Sequence, residues 1–250
     1  MQINWQNNNC FTIDNIEFVI DLSLPHERFS SSADDQKFLL VKSKPMVNFY
    51  EKLLEKQDFQ RGIELGVFEG GSSLFLYKLT ELERLDCIEL RLNSAPELDK
   101  YLEDNSLNIS LHYGVNQADA NSLRKIVALD DRPIDFILDD ASHFYEETKA
   151  SFNLLFPYLR NGGMYVIEDW NWCHNSPHNG TKSEVWTKRK ALTNLIFEMV
   201  MLNGSSGNLI ESIEIFRNIV VINKSQNALH KNDFDISSSY FIGDRSFQLI

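Results

Sequence analysis

Acidic side chains and one histidine follow two apolar stretches in the second half of the sequence. They are Asp139, Asp140, His143, Glu168 and Asp169. If the apolar stretches 134–138 and 163–167 are adjacent parallel strands, about 4.8 Å apart, these side chains converge on one rim of a sheet. Crowded carboxylates repel one another and raise one another's pKa, and a divalent cation removes that conflict. An all-oxygen ligand set favours a hard ion such as Mg²⁺ over Zn²⁺.

His143 lies three residues after Asp140 in the sequence. Imidazole is the natural proton acceptor at neutral pH. A metal ion at the rim would bind and acidify a hydroxyl, and His143 would then take the proton. We therefore predict that His143 is a general base. An alternative stays open, in which the acids cap helices or form ion pairs and His143 is a hinge residue.

A glycine-containing stretch, 64–72 (ELGVFEGGS), follows one apolar segment and precedes a helical pattern. Glycines let a ligand approach the backbone, and a helix N-terminus offers N–H groups and partial positive charge to an anion. The spacing G-x-x-x-G-G differs from the G-x-G-x-x-G of dinucleotide-binding folds. It resembles the first motif of S-adenosylmethionine methyltransferases, which implies that cofactor. The residues so implicated are Glu64, Gly66, Gly70 and Ser72. An ordinary tight turn is the alternative.

Further polar residues follow the next strands of the pattern. Glu89 ends an apolar strand, where a carboxylate can accept both ribose hydroxyls of a nucleoside. The resemblance places the loop 114–119 at the adenine edge, with Gln117 and Asp119 as candidates, and Asp139 completes the predicted cofactor set. The alternatives are a surface acid at a strand end for Glu89 and a plain helix cap for Asp119.

Short apolar segments alternate with helical patterns between residues 61 and 167. The predicted strands are 61–67, 85–90, 109–113, 134–138 and 163–167, and the predicted helices are 72–82, 95–103, 120–129 and 146–159. This alternation is typical of a parallel, doubly wound sheet. A helix over 183–202 follows, and then two closely spaced strands, 209–216 and 219–222, which must form a hairpin. We predict an α/β, Rossmann-like sheet of seven strands, mostly parallel, with a C-terminal antiparallel hairpin.

The N-terminal residues have a different pattern. It predicts a hairpin over 11–20, a polar loop over 24–37 and a helix that starts near Pro45. We therefore divide the chain into three regions. These are an N-terminal extension, 1–55, acting as a lid or as a substrate or oligomer contact; a methyltransferase domain, 56–225; and a C-terminal tail, 226–250.

The composition limits the partners. The 250 residues carry a net charge of −12, which repels phosphate backbones and argues against nucleic acid. The three cysteines do not make a disulfide framework, and Cys173, His174 and His178 lack a fourth ligand for zinc. Neither a signal peptide nor an apolar run of about 18 residues is present. We expect a cytoplasmic enzyme that acts on a small hydroxylated molecule without membrane or nucleic acid, and a homo-oligomer stays open.

Three segments, 139–143 (DDASH), 148–159 and 162–169 (GGMYVIED), carry a more specific likeness. They resemble the metal-dependent O-methyltransferases that modify macrolide sugars, of the mycinamicin and tylosin type, and are similar to the cephalosporin-hydroxylase-like branch. The resemblance implies a hydroxyl of a sugar or other small natural product as the acceptor, and His143 as the base. It implies Mg²⁺, or Mn²⁺, on the ligands Asp140, Glu168 and Asp169.

Two alternatives to this function remain from the sequence. One is an N- or C-methyltransferase that needs no metal, and the other is a non-catalytic cofactor-binding module. Clustered acids argue against the module, because a binding scaffold does not need them. Ala141 stands where the family often has glycine, a mild departure. Trp170 and Trp172 either line an acceptor pocket or belong to a mobile surface loop.

Overall fold

The computed structural model describes most of the chain. The described residues are 2–22, 37–55, 57–92, 95–174, 186, 188–206, 208–226 and 234–250. They divide into two compact units, Met1–Gly114 and Val115–Ile250.

The first unit begins with a small four-stranded sheet in the order β1-β2-β3-β4. Its strands are β1 (Asn4–Trp5), β2 (Cys10–Ile13), β3 (Ile16–Ile20) and β4 (Lys37–Leu40). The pairing of β2 with β3 is antiparallel and confirms the predicted hairpin over 11–20. Lys37, predicted as the end of a polar loop, instead starts β4, which pairs in parallel with β3. The rest of that loop, 24–36, lies outside the described residues.

Three helices and three strands complete the first unit. They are α1 (Lys44–Leu54), β5 (Arg61–Leu65), α2 (Gly71–Thr80), β6 (Arg84–Glu89), α3 (Pro96–Asn105) and β7 (Ile109–Tyr113). Strands β5, β6 and β7 are parallel. Every residue of β5 is buried, as expected for a parallel strand covered on both faces. Phe75 of α2 packs against Phe11 and Phe18 of the small sheet.

The second unit continues the alternation and ends in the hairpin. Its elements are α4 (Ala120–Val127), β8 (Ile134–Asp139), α5 (Tyr145–Leu155), β9 (Leu159–Glu168), α6 (Thr193–Ser206), β10 (Ile210–Ile215), β11 (Ile219–Lys224) and α7 (Ile236–Ser239). Strands β8 and β9 are parallel, whereas β11 pairs antiparallel with both β9 and β10. The strand order of the large sheet is β10-β11-β9-β8-β5-β6-β7, which confirms the predicted seven-stranded architecture.

Two predicted helix boundaries are wrong. The helix predicted over 146–159 ends at Leu155 and passes into a 3₁₀ turn, Phe156–Tyr158, because Pro157 cannot donate a helical hydrogen bond. The helix predicted over 183–202 is interrupted: Trp186 and Lys188 are helical, residues 189–192 are not, and α6 starts at Thr193. Residues 183–185 and 187 lie outside the described residues. The amide of Ala191 donates to the carbonyl of Ile250 instead of to a helical partner.

A buried ion cluster joins the three parallel strands of the first unit. Asp86 in β6 is fully buried and lies 2.7 Å from Arg84 of the same strand, 3.3 Å from Arg61 of β5 and 3.1 Å from His112 of β7. Burial alone would raise the pKa of Asp86, but hydrogen bonds from His112 and Arg84 bring it below its usual value. The ionised carboxylate is therefore the form that the folded state favours.

We predict that Asp86→Asn lowers the free energy of unfolding at pH 7 by about 3–5 kcal/mol, because the change breaks a buried ion cluster. Since the folded pKa is depressed, this stability is present above the unfolded pKa of about 3.9 and is lost as the pH falls through the folded pKa. Urea unfolding between pH 7 and pH 3 measures this. The free energies of unfolding of the native protein and of Asp86→Asn should approach each other as the pH falls. Glu146→Gln, which breaks the exposed pair with Lys190, should cost less than about 1 kcal/mol. Equal losses for both variants would refute the assignment.

Candidate active site

The glycine turn connects β5 to α2, and its glycines have different structural roles. Gly66 and Gly70 have φ values of 90° and 85°, which favour glycine, and Gly70 precedes the first turn of α2. A Cβ atom on Gly71 would lie 1.8 Å from the carbonyl oxygen of Leu39. The second glycine of the GG pair therefore has a packing role, because β4 passes directly against it.

Glu89 is the last residue of β6, and its carboxylate binds backbone amides of this turn. The amides of Val67 and Phe68 donate to Glu89 Oε2 at 3.1 and 2.9 Å. The amide and Nε of Arg91 donate to Glu89 Oε1 at 2.9 and 3.2 Å. Burial would raise the pKa of Glu89, but these hydrogen bonds from Arg91 and Phe68 bring it below its usual value. Glu89 is 8% exposed, so the alternative of a surface acid is wrong.

The other predicted residues of this turn differ in exposure. Glu64 is fully buried and accepts a hydrogen bond from the hydroxyl of Ser73. Ser72, the predicted hydroxyl donor, is half-buried in the first turn of α2. Burial raises the pKa of the neighbouring Cys87 thiol, and the charge of Glu64 adds to that rise.

In the second unit, Gln117 and Asp139 belong to one buried hydrogen-bond network. Gln117 Nε2 donates to both carboxylate oxygens of Asp139, at 3.1 and 3.2 Å. The hydroxyls of Ser151 and Tyr165 also donate to Asp139, at 2.6 and 3.1 Å. Gln117 Oε1 accepts from the amide of Ser142 at 2.8 Å. Burial raises the pKa of Asp139 to about 6, although the hydrogen bonds from Ser151, Tyr165 and Gln117 oppose that rise.

Sequence reasoning missed Ser151 and Tyr165 as members of this network. The signal was a polar group at a position that faces the core, since Ser151 lies on the buried face of α5 and Tyr165 in the buried part of β9. Asp119 has a separate role. It is exposed and caps α4 by accepting from the amides of Asn121 and Ser122, which agrees with the capping alternative.

Asp140, His143 and Asp169 form a group that could hold a metal ion. One ligand atom from each lies within 4.8 Å of the other two, and all three side chains are half-buried. Asp140 directly follows β8 and Asp169 directly follows β9. These two strands pair in parallel, with Asp139 opposite Ile167, so their carboxyl ends meet at one edge.

The predicted third ligand, Glu168, precedes Asp169 at the end of β9 and is 1% exposed. The group of three contains His143 instead, and metal binding by Glu168 stays a prediction. Two carboxylates and an imidazole fit Mn²⁺, and the carboxylates alone suit Mg²⁺ with water completing its shell. The donor set therefore fits the predicted ion. Within the described residues, neither Cys173 nor His174 joins such a group, and His178 lies outside them.

Backbone strain marks two of the three residues. His143 has a φ of 57° and Asp169 a φ of 53°. Such left-handed conformations cost of order 1–3 kcal/mol for residues other than glycine and persist where surrounding contacts enforce them. One enforcing contact is the hydrogen bond of 2.7 Å from the amide of Asp169 to the carbonyl of Asn218, in the β10–β11 turn.

Aromatic rings lie beside His143. The Trp172 ring centroid is 4.4 Å from that of His143. Trp186 lies 5.7 Å from Trp172 and 4.8 Å from Phe144. Trp170, the other predicted pocket residue, donates from its indole nitrogen to the carbonyl of Phe216. Phe144 and Trp186 were not predicted, although Phe144 directly follows the histidine.

A mostly parallel sheet of seven strands, finished by an antiparallel hairpin and carrying acids at the carboxyl ends of its strands, defines the class I methyltransferase fold. Residues 63–170 match the family model described as a methyltransferase domain. That match agrees with the methyltransferase resemblance of the glycine motif. Among the described residues, no helix is long and apolar enough to span a bilayer.

Named relatives confirm the more specific resemblance. L-olivosyl-oleandolide 3-O-methyltransferase of Streptomyces antibioticus is 44% identical over 61 residues, which are 24% of this chain and 16% of the relative. The 8-demethyl-8-(2-methoxy-alpha-L-rhamnosyl)-tetracenomycin-C 3'-O-methyltransferase of Streptomyces olivaceus is 31% identical over 126 residues, which are 45% of this chain and 32% of the relative. The matched stretches thus span a third or less of these relatives.

A solved structure shares the fold. The MycE methyltransferase from the mycinamycin biosynthetic pathway, in complex with Mg, SAH and mycinamycin VI, superimposes with a TM-score of 0.52 at 21% identity. The match covers 73% of this chain and 49% of MycE. At this level of identity the likeness concerns the fold.

Proposed function

We propose that this chain transfers a methyl group from S-adenosylmethionine to a hydroxyl on the sugar of a glycosylated natural product, with the help of Mg²⁺ or Mn²⁺. The observation that carries the proposal is the group of Asp140, His143 and Asp169 at the carboxyl ends of two adjacent strands. The relatives support the acceptor class, because both are named as O-methyltransferases of glycosylated compounds, one olivosyl and one rhamnosyl.

Asp140 and Asp169 would hold the metal ion, with Glu168 or His143 as the third ligand. When bound, the ion would supply charge that binds the acceptor oxygen and lowers the pKa of its hydroxyl. His143 would accept the hydroxyl proton on a ring nitrogen. S-adenosylmethionine, when bound, would supply the methyl group to the acceptor oxygen and become S-adenosylhomocysteine as its methyl–sulfur bond breaks, and His143 would keep the hydroxyl proton. Because this transfer needs mainly alignment, rigid placement of these residues supplies much of the rate.

The first unit supports the nucleoside part of the proposal. Glu89 would accept a ribose hydroxyl, and the N-terminus of α2 with Ser72 would face the methionine carboxylate. Four donors already occupy the two oxygens of Glu89. Of these, the Arg91 side chain is 48% exposed and is the one that a ribose hydroxyl can displace. Contacts from Glu64 and Asp119 to the cofactor stay predictions.

The acceptor would pack on the rings next to His143. Trp172 and Trp186 are half-buried and offer flat apolar faces, which suit the C–H face of a sugar or the body of its aglycone. The N-terminal extension, 1–55, and the tail, 226–250, are proposed to shape the acceptor site or an oligomer contact. The cytoplasmic location and the absence of nucleic-acid and membrane partners stay predictions as well.

The proposed reaction predicts methyl transfer from labelled S-adenosylmethionine to a rhamnosylated or olivosylated polyketide with free sugar hydroxyls. EDTA should abolish transfer, and Mg²⁺ or Mn²⁺ should restore it. The same glycoside with all sugar hydroxyls acetylated is the matched control and should accept nothing. Full turnover in chelator would contradict the metal requirement, and labelling of an amine instead of a hydroxyl would contradict O-methylation.

Glu89→Gln should weaken S-adenosylhomocysteine binding about 10- to 100-fold, because a hydrogen bond to a charged group contributes about 1.5–3 kcal/mol. Calorimetry measures the affinity, and circular dichroism checks that the turn still folds. Glu103→Gln, which removes an exposed acid from α3, is the charge-matched control and should bind normally. Unchanged affinity in the Glu89 variant would remove the ribose assignment.

His143→Ala distinguishes a base from a metal ligand. As a base, His143 should contribute about 10²- to 10⁴-fold to kcat, while Mn²⁺ affinity measured by electron paramagnetic resonance should change little. As a ligand, its loss should weaken Mn²⁺ binding as Asp140→Asn does. A fall in kcat below about tenfold, at saturating metal and cofactor, would mean that His143 is not the base.

A further inference from the structure

We infer that Gln117 is a positioning residue that ties the loop 140–143 to the buried Asp139 carboxylate and thereby sets the place of His143. This role differs from the adenine contact that the sequence predicted for Gln117. Its effect on metal binding and rate rests on the proposed function, whereas its effect on the loop does not.

The two ends of the Gln117 amide have different partners, which fixes its orientation. The oxygen accepts from a donor, the amide of Ser142, at 2.8 Å. The nitrogen donates to an acceptor, the carboxylate of Asp139, at 3.1 and 3.2 Å. Turning the amide over would place donor against donor and acceptor against acceptor. A glutamine is the side chain that joins a backbone N–H to a carboxylate in this way.

The far side of the network is anchored in two other elements. Asp139 ends β8, Ser151 lies in α5 and Tyr165 lies in β9. Gln117 and Asp139 are 6% and 2% exposed, and the other two side chains are fully buried. Hydrogen bonds are electrostatically stronger where water is excluded. Gln117 therefore connects the loop to a rigid support.

The loop needs such a connection. Ser142 directly precedes His143, whose φ of 57° is unfavourable for a residue with a side chain. The hydrogen bond from Ser142 to Gln117 helps to hold the backbone in that strained conformation. Without it, the loop can relax, and His143 would leave the group that it forms with Asp140 and Asp169.

The same contacts argue against an adenine contact by Gln117. Its amide oxygen and nitrogen both have partners on the protein, and its side chain is buried. To bind a base edge, Gln117 would have to release either Ser142 or Asp139. Releasing Asp139 would remove a donor from a buried carboxylate, which is unfavourable.

The test compares two variants that each remove one donor from Asp139. Gln117→Met keeps the length and burial of the side chain but also loses the bond to Ser142. Ser151→Ala leaves that bond in place. Hydrogen exchange over 140–144 should accelerate at least tenfold in Gln117→Met and less than about threefold in Ser151→Ala. Asn116→Ala, which affects only an exposed side chain bonded to the amide of Ala118, controls for damage to the preceding loop.

Two binding measurements separate the possible roles. In Gln117→Met, S-adenosylhomocysteine affinity should stay within about twofold, while kcat should fall tenfold or more and Mn²⁺ affinity should change by about the same factor as in His143→Ala. Loss of S-adenosylhomocysteine binding with unchanged loop exchange would overturn the inference and make Gln117 a cofactor residue. If the native chain binds no metal and transfers no methyl group, the proposed function fails, and loop exchange still decides the role of Gln117. Unchanged hydrogen exchange over 140–144 in Gln117→Met would overturn the positioning role of Gln117.

Discussion

The second unit depends on how the buried carboxylate of Asp139 is satisfied. A carboxylate that is 2% exposed must receive hydrogen bonds or lose its charge. The donors here come from three places: Ser151 in α5, Tyr165 in β9 and Gln117 before α4. Because of these hydrogen bonds, a helix, a strand and a loop all contact the end of β8. The next residue, Asp140, begins the candidate active site. The contacts of Asp139 therefore also fix the position of that site.

The first unit uses a buried acid in a similar way. Glu89 ends β6 and binds the amides of Val67 and Phe68, which fixes the glycine turn before α2. In both units, an acid at the carboxyl end of a strand organises a loop through backbone N–H groups, directly or through an amide side chain. The two carboxylates that the sequence predicted as cofactor contacts are therefore also part of how these loops are built. An acid in such a position can be essential without touching a ligand.

The sequence predicted that several of these residues would lie together at one rim, and their roles stay predictions. Asp140, His143 and Asp169 lie together as expected, because alternating strands and helices force the strands to be parallel and their carboxyl ends to share an edge. Glu168 is buried at the end of β9, and its binding of the ion stays a prediction. The side chains of adjacent residues at a strand end point in different directions, so a run of two acids does not say which one faces the site.

The sequence by itself determined the fold class, the hairpin at the end of the sheet and the methyltransferase resemblance, because these follow from local periodicity and short motifs. Only the tertiary structure decided that Gly71 makes room for β4, that Gln117 bonds to Ser142 and Asp139, and that α6 begins at Thr193. Each of these depends on a partner far away in the sequence, Leu39, Asp139 and Ile250 respectively. Such partners meet only when the chain is folded, and no local pattern records them.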